Sequence, residues 1–125
     1  MNGNNIVADT SLLINFFNGR EPARKILQGQ QIWISVITEI ELLSFPSLKK
    51  DDIKLLNSFL NECIILDLTK PIKQIAINLR RNKKLKLPDS IIAATSIHLD
   101  FPLVTMDSDF NKVSKLNTVV IDLDN

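Results

Sequence analysis

The chain has 125 residues, 45% of them hydrophobic and 23% charged, and a formal net charge of +1. That length suits a single domain over residues 1–125 with a sizeable core, and the composition is that of a soluble globular protein, not a disordered or fibrous one. No apolar run approaches the ~20 residues of a bilayer span and no secretory leader pattern opens the chain; the single cysteine, Cys63, has no internal disulfide partner, so the expected location is the cytoplasm.

The first apolar run, Asn5-Ile6-Val7-Ala8, reads as a strand stopped by Asp9-Thr10-Ser11. Those three residues start helices, and Leu12, Leu13, Phe16 and Phe17 follow at helical spacing. Glu21-Pro22 opens a short helix that runs to Leu27, and Ile32-Trp33-Ile34 is a second strand. Helical segments follow near 36–45 and 50–61, then a third strand at Ile64-Ile65-Leu66 and a helix over about Pro71 to Arg81. The segment Ser90 to Ile97 is apolar almost all round, which predicts a buried helix, and its alanines allow close approach to a sheet. Pro102 to Thr105 and Val119 to Ile121 make the fourth and fifth strands. Short apolar strands alternating with helices predict an α/β fold of three layers, α/β/α, around a central parallel sheet of about five strands.

In such a sheet, sites lie beyond the carboxyl ends of the strands, where the strand order reverses. Asp9 follows the first strand, and Asp107 and Asp109 follow the fourth. If those two strands are neighbours, their loops share one crevice. Asp89 then stands near the start of the buried helix, and the helix after strand two carries Glu39 and Glu41, about 200° apart, so at most one of them faces the crevice. Carboxylates that converge in this way repel one another unless a cation compensates. Hard oxygen donors favour Mg²⁺ or Mn²⁺ over zinc, because the lone Cys and lone His form no ligand set. The matching chemistry is metal-assisted phosphodiester hydrolysis.

Taken singly, each acid has a plainer explanation: Asp9 as a helix cap, the helical Glu as a solvated residue, Asp89 as a partner of a helix dipole, and Asp107 and Asp109 as turn formers. Their joint placement at one end of the sheet favours a site. Thr10, Ser11 and Thr105 are candidates to hold the carboxylates from behind, with capping and turn roles as the alternative. Arg80, Arg81, Lys83, Lys84 and Lys86 form a basic stretch next to Asp89, either an RNA-phosphate docking edge or a solvated helix end. His98 lies about 180° round the helix from Asp89 and is excluded, and Trp33, Phe59 and Cys63 read as core or interface residues.

The sequence resembles the PIN-domain nucleases, and among them most closely the VapC-type toxins of bacterial toxin–antitoxin pairs. Ile6-Val7-Ala8-Asp9-Thr10-Ser11-Leu12-Leu13-Ile14 resembles the family's first strand, first catalytic Asp and following hydroxyl residue. Ser35 to Leu42 is similar to the second motif, and the resemblance selects Glu41 as its acid. Pro88-Asp89-Ser90-Ile91-Ile92-Ala93-Ala94-Thr95 is similar to the third, and Leu103 to Phe110 to the fourth, with Asp107 as the usual ligand and Asp109 as a helper. Four motifs in order across almost the whole chain imply a Mg²⁺- or Mn²⁺-dependent endoribonuclease that acts through Asp9, Glu41, Asp89 and Asp107, with Asp9, Asp89, Asp107 and Asp109 on the metal. The resemblance also implies a homodimer and a small antitoxin partner.

Two rival readings remain. A two-component receiver domain has the same length and alternation, and Asp67 follows strand three, but the only Lys-Pro, Lys70-Pro71, is in the wrong place for it. The other rival is a PIN scaffold that binds RNA or protein without cleaving, against which the four acids argue.

Overall fold

The computed structural model describes residues 4–82 and 85–122. Among these residues, five strands form one sheet: β1 (Asn5–Ala8), β2 (Gln31–Ser35), β3 (Ile64–Leu66), β4 (Leu103–Thr105) and β5 (Thr118–Val120). All pairings are parallel and the order is β3-β2-β1-β4-β5. The chain therefore builds outward from β1 in one direction through β2 and β3, then crosses back to lay β4 on the other side of β1. In register, Val7 lies opposite Trp33 on one side and Leu103 on the other. The β1/β4 boundary is the topological switch point, with the crevice at its carboxyl end.

Among the described residues, six α-helices cover the two faces: α1 (Thr10–Phe17), α2 (Glu21–Leu27), α3 (Val36–Leu43), α4 (Lys50–Leu60), α5 (Lys70–Arg81) and α6 (Leu87–Leu99). Strand side chains alternate between the faces, as a pleated strand requires. Ile6, Ala8, Ile34 and Val104 pack with Leu12, Leu13, Ala23, Leu27, Leu42, Leu56 and Leu60 from α1 to α4. Val7 and Leu103 point the other way, onto Ile72, Ala76 and Leu79 of α5 and onto Ile91, Ile92, Ala93 and Ala94 of α6. At about 1.5–3 kcal/mol for each large apolar side chain removed from water, these two cores hold the three layers together.

The buried helix expected over Ser90 to Ile97 is longer by a turn at the front. It begins at Leu87, with Pro88 in its first turn, where the ring costs no intrahelical hydrogen bond. Ser90 through Ser96 are buried without a break. The two hydroxyls Thr95 and Ser96 are satisfied by the carbonyls of Ile91 at 2.9 Å and Phe101 at 2.6 Å. Asp100 ends α6 in the left-handed region, at φ 57°.

The strand order removes the receiver-domain rival. A receiver sheet runs 2-1-3-4-5, which puts the third strand beside the first. Here β3 is the edge strand, separated from β1 by β2, so Asp67 is exposed at the rim. Among the described residues, no helix is long and apolar enough to cross a membrane.

Candidate active site

Asp9 directly follows β1 and is the N-cap of α1, with its carboxylate oxygen accepting the Leu12 N–H at 2.9 Å. The capping role expected of such a residue is thus real, but it uses only part of the carboxylate. Ser11 Oγ approaches both oxygens, at 2.9 and 2.8 Å, and Thr105 Oγ1 donates to Oδ2 at 2.5 Å. Thr105 belongs to β4, so this last bond ties the two strands together at the switch point. Asp9 is only 3% exposed. Burial pushes its pKa up from 3.8 to about 6, against the pull of the Thr105, Leu12 and Ser11 hydrogen bonds, and the charge of Asp89 adds to the rise.

Thr105 Oγ1 also accepts the N–H of Asp107 at 2.9 Å, and Ser11 Oγ accepts that of Met106 at 3.2 Å. These bonds fix the start of the loop after β4. Asp107 then caps a short 3-10 turn, Ser108–Lys112, by accepting the Asp109 N–H at 2.9 Å. Phe110, 1% exposed, pins that turn into the core. Asp109 stands at the outer rim, more than half exposed and paired with Lys112 at 3.5 Å.

Asp89 lies in the first turn of α6. Partial burial raises its pKa, followed by the negative charges of Asp107 and Glu41; Lys86 opposes the rise and Asp109 adds to it. The five acids therefore belong to one electrostatic neighbourhood, with Asp89 at its centre and Asp9 coupled to it. Among the described residues, no group of three or more His, Cys, Asp or Glu side chains is placed to hold a metal ion. The carboxylates share a field without collapsing onto one point, and both Asp9 oxygens are turned into their hydroxyl cage.

Helical phase leaves Glu39 and Glu41 open, and of the two it is Glu41 that meets α1. Thr10 Oγ1 donates to Glu41 Oε1 at 2.6 Å, bridging α1 to α3, and Glu41 is the one whose charge reaches Asp89. Thr38, which sequence reasoning had no cause to single out, is fully buried and within 3.2 Å of Thr10 Oγ1. Three residues before Glu41, it shares that face of α3.

The basic stretch divides. Lys86 is the N-cap residue of α6 and close enough to act on Asp89. Arg81 is exposed in the last turn of α5. Arg80 is engaged within the protein, its Nη1 donating to the Leu85 carbonyl at 2.8 Å. The expectations for Lys83 and Lys84 lie outside the described residues. His98 is exposed in the last turn of α6. Trp33 stacks near Phe101 at 5.3 Å, Phe59 contacts Phe16 and Phe17, and Cys63 packs beside the same core, so all three serve packing.

The PIN domain family model matches residues 6–116. Among solved structures, a chain of a toxin–antitoxin complex from Klebsiella pneumoniae is 30% identical, with a TM-score of 0.81, over 92% of this chain and 96% of that one. A chain of VapBC2 from Rickettsia felis, bound to a DNA fragment from its promoter, superposes with a TM-score of 0.82 at 21% identity, over 94% and 99% of the two chains. A chain of VapBC-1 from nontypeable Haemophilus influenzae has the same fold at 19% identity, with a TM-score of 0.80 over 93% and 97%. A search of curated proteins gives no match. With its sheet order, its acidic switch point and a family match over nearly its whole length, the chain belongs to the PIN-domain family.

Proposed function

We propose that this chain is a metal-dependent endoribonuclease that hydrolyses RNA phosphodiester bonds as the toxin of a toxin–antitoxin pair. The observation that carries the reading is the meeting of acids from four separate segments in one field at the β1/β4 crevice of a PIN-family chain. All the donors are hard carboxylate oxygens. Two of them, Asp9 and Asp89, have pKa values held above the ordinary carboxylate value by burial first and by neighbouring negative charge second, which a cation relieves. Mg²⁺ and Mn²⁺ fit this donor set: such ions keep several waters and need only one or two direct carboxylates, so an open group of acids suits them. Asp9, Asp89, Asp107 and Asp109 are the residues assigned to hold the ion, one or two of them directly and the others through its waters. When bound, it supplies positive charge to the scissile phosphate and makes water a better nucleophile at neutral pH.

The remaining steps belong to the protein. Ser11, Thr105 and the Leu12 N–H hold the Asp9 carboxylate in one orientation, so no reorganisation is needed when substrate arrives. Thr10 does the same for Glu41, leaving its second oxygen to accept a proton from an attacking water. Asp107 is oriented by the N–H of Asp109. Arg81 and Lys86 are assigned to the RNA phosphates next to the cleaved bond, as point charges that position the strand without reading bases.

The toxin role and a small antitoxin partner are assigned from likeness to chains of toxin–antitoxin structures, with a homodimer as the working assembly and the cytoplasm as the place of action. The test is cleavage of RNA by purified protein with Mg²⁺ or Mn²⁺ and with EDTA, for wild type, Asp9→Asn and Asp89→Asn. Metal-dependent cutting lost in both variants supports the assignment; equal cutting by all three, or none by wild type with either ion, removes it.

A further inference from the structure

We infer that Arg80 is a positioning residue which latches the entry to α6 and thereby sets where Asp89 and Lys86 stand. The inference rests on the nuclease reading for its catalytic consequence, while the latch itself is a property of the fold.

Helix α6 carries Asp89 in its first turn, yet that turn lacks a side-chain N-cap. Its N-cap is Lys86, whose side chain makes no capping hydrogen bond. A helix start without a cap frays more readily, and a cap is ordinarily worth about 1 kcal/mol. Within the turn, Ser90 Oγ donates to the Leu87 carbonyl at 2.6 Å, and a further hold comes from outside. Leu85 is buried in the core built on α5 and α6, packed with Ile72, Ala76 and Leu79. Its carbonyl takes the Arg80 guanidinium at 2.8 Å. The side chain and the carbonyl are thus fixed by different parts of α5, just before the chain turns into α6. The next residue, Lys86, gives its carbonyl to the Ser90 N–H at 2.8 Å, the first hydrogen bond of the helix. A line of direct bonds thus runs from Arg80 through Leu85 and Lys86 to Ser90, enclosing Asp89.

A planar guanidinium makes a good latch because it stays charged at any working pH, and a charge-assisted bond is roughly twice as strong as a neutral one. Both arginines are exposed, but only Arg80 is committed to a backbone carbonyl, which leaves Arg81 as the better candidate for a phosphate.

The test compares Arg80→Met, which keeps the aliphatic stem, with Arg81→Gln, and uses Arg80→Lys as a milder variant in case the first folds poorly. Amide hydrogen exchange is read at Ser90 and, as a control in another helix, at Leu13, whose N–H bonds to the Asp9 carbonyl at 3.3 Å. The latch predicts that Arg80→Met speeds Ser90 exchange about tenfold or more, as loss of a hydrogen bond to a charged group requires, with Leu13 unchanged; Arg80→Lys shifts Ser90 the same way by less. In RNA cleavage, Arg80→Met lowers kcat about tenfold with KM held within about twofold, because Asp89 is misplaced while the phosphate contacts persist. Arg81→Gln raises KM and leaves Ser90 untouched. Unchanged Ser90 exchange in Arg80→Met overturns the latch whether or not the protein cleaves RNA. A raised KM with unchanged kcat assigns Arg80 to the substrate instead. Absence of cleavage in wild type defeats the nuclease reading, and the exchange data still decide the latch.

Discussion

Thr105 tests how the site is held together, because one hydroxyl serves two acids. It donates to Asp9 at 2.5 Å and accepts the Asp107 N–H at 2.9 Å. Thr105→Val keeps the shape and removes both bonds. The pKa of Asp9, about 6, already reflects a contest that burial wins over hydrogen bonding. Because this value lies above the unfolded one of 3.8, folding binds the proton more tightly. Ionising Asp9 therefore costs stability as pH rises from about 4 through 6, and the gap of about two units corresponds to roughly 3 kcal/mol by pH 8 in metal-free protein. A bond to the ionised carboxylate contributes about 1.5–3 kcal/mol and one to the neutral acid about 1, while leaving the Asp107 N–H without its acceptor costs about 1 more at any pH. Thr105→Val should thus lose about 2.5–4 kcal/mol at pH 8 but only about 2 at pH 4.5. Urea unfolding in EDTA at the two pH values measures this, and the Asp9 carboxyl carbon, followed by NMR, should titrate above 6. An equal loss at both pH values, with an unmoved Asp9 titration, would refute the reasoning.

Other outcomes follow from the same structure. Asp9→Asn keeps a competent helix cap and removes a buried charge, so in EDTA at pH 8 it should raise stability by about 1–2 kcal/mol while abolishing cleavage; a destabilised variant in urea titration contradicts that. Phe110→Ala empties a site that is 1% exposed and frees the turn carrying Asp107 and Asp109, at a cost of about 3–5 kcal/mol in the same assay. Ala94→Leu, at a fully buried position of α6, overpacks the sheet contact and should cost about 1–3 kcal/mol; a neutral result would mean that the helix has slack. Burial and the neighbouring Glu62 push the Cys63 thiol up from 9.0 to about 11. At pH 8 its thiolate is then about a hundredfold scarcer than in an ordinary thiol, so alkylation should be slow and should accelerate up to about pH 11.

The elements were legible in the sequence because their signals are local: Asp9-Thr10-Ser11 ahead of a helically spaced apolar set favours a helix start, and the short β-branched run Ile64-Ile65-Leu66 favours a strand. Residue 88 misled by one turn, since a proline ends a helix from inside but is tolerated in its first turn, and α6 begins at Leu87. The crevice was legible as a condition, that strands one and four be neighbours, and β1 does pair with β4. What stayed hidden were facts of tertiary contact. Helical phase has no means of preferring Glu41 to Glu39, because the partner that selects it, Thr10, comes from another helix 31 residues away. Charge counting treats Arg80 and Arg81 alike, although one is committed to Leu85. Thr38 escaped notice because a buried hydroxyl looks like any helix threonine until its neighbour across the interface is known.

The central claim is that Asp9 and Asp89 form one metal-dependent hydrolytic site. Its most direct test is the rate of RNA cleavage by purified protein titrated with Mg²⁺ or Mn²⁺, for wild type beside folded Asp9→Asn and Asp89→Asn. The predicted rate rises with metal, vanishes in EDTA and falls by at least about a hundredfold in either variant. Cleavage that persists in EDTA, or variants that cut as fast as wild type, would contradict it.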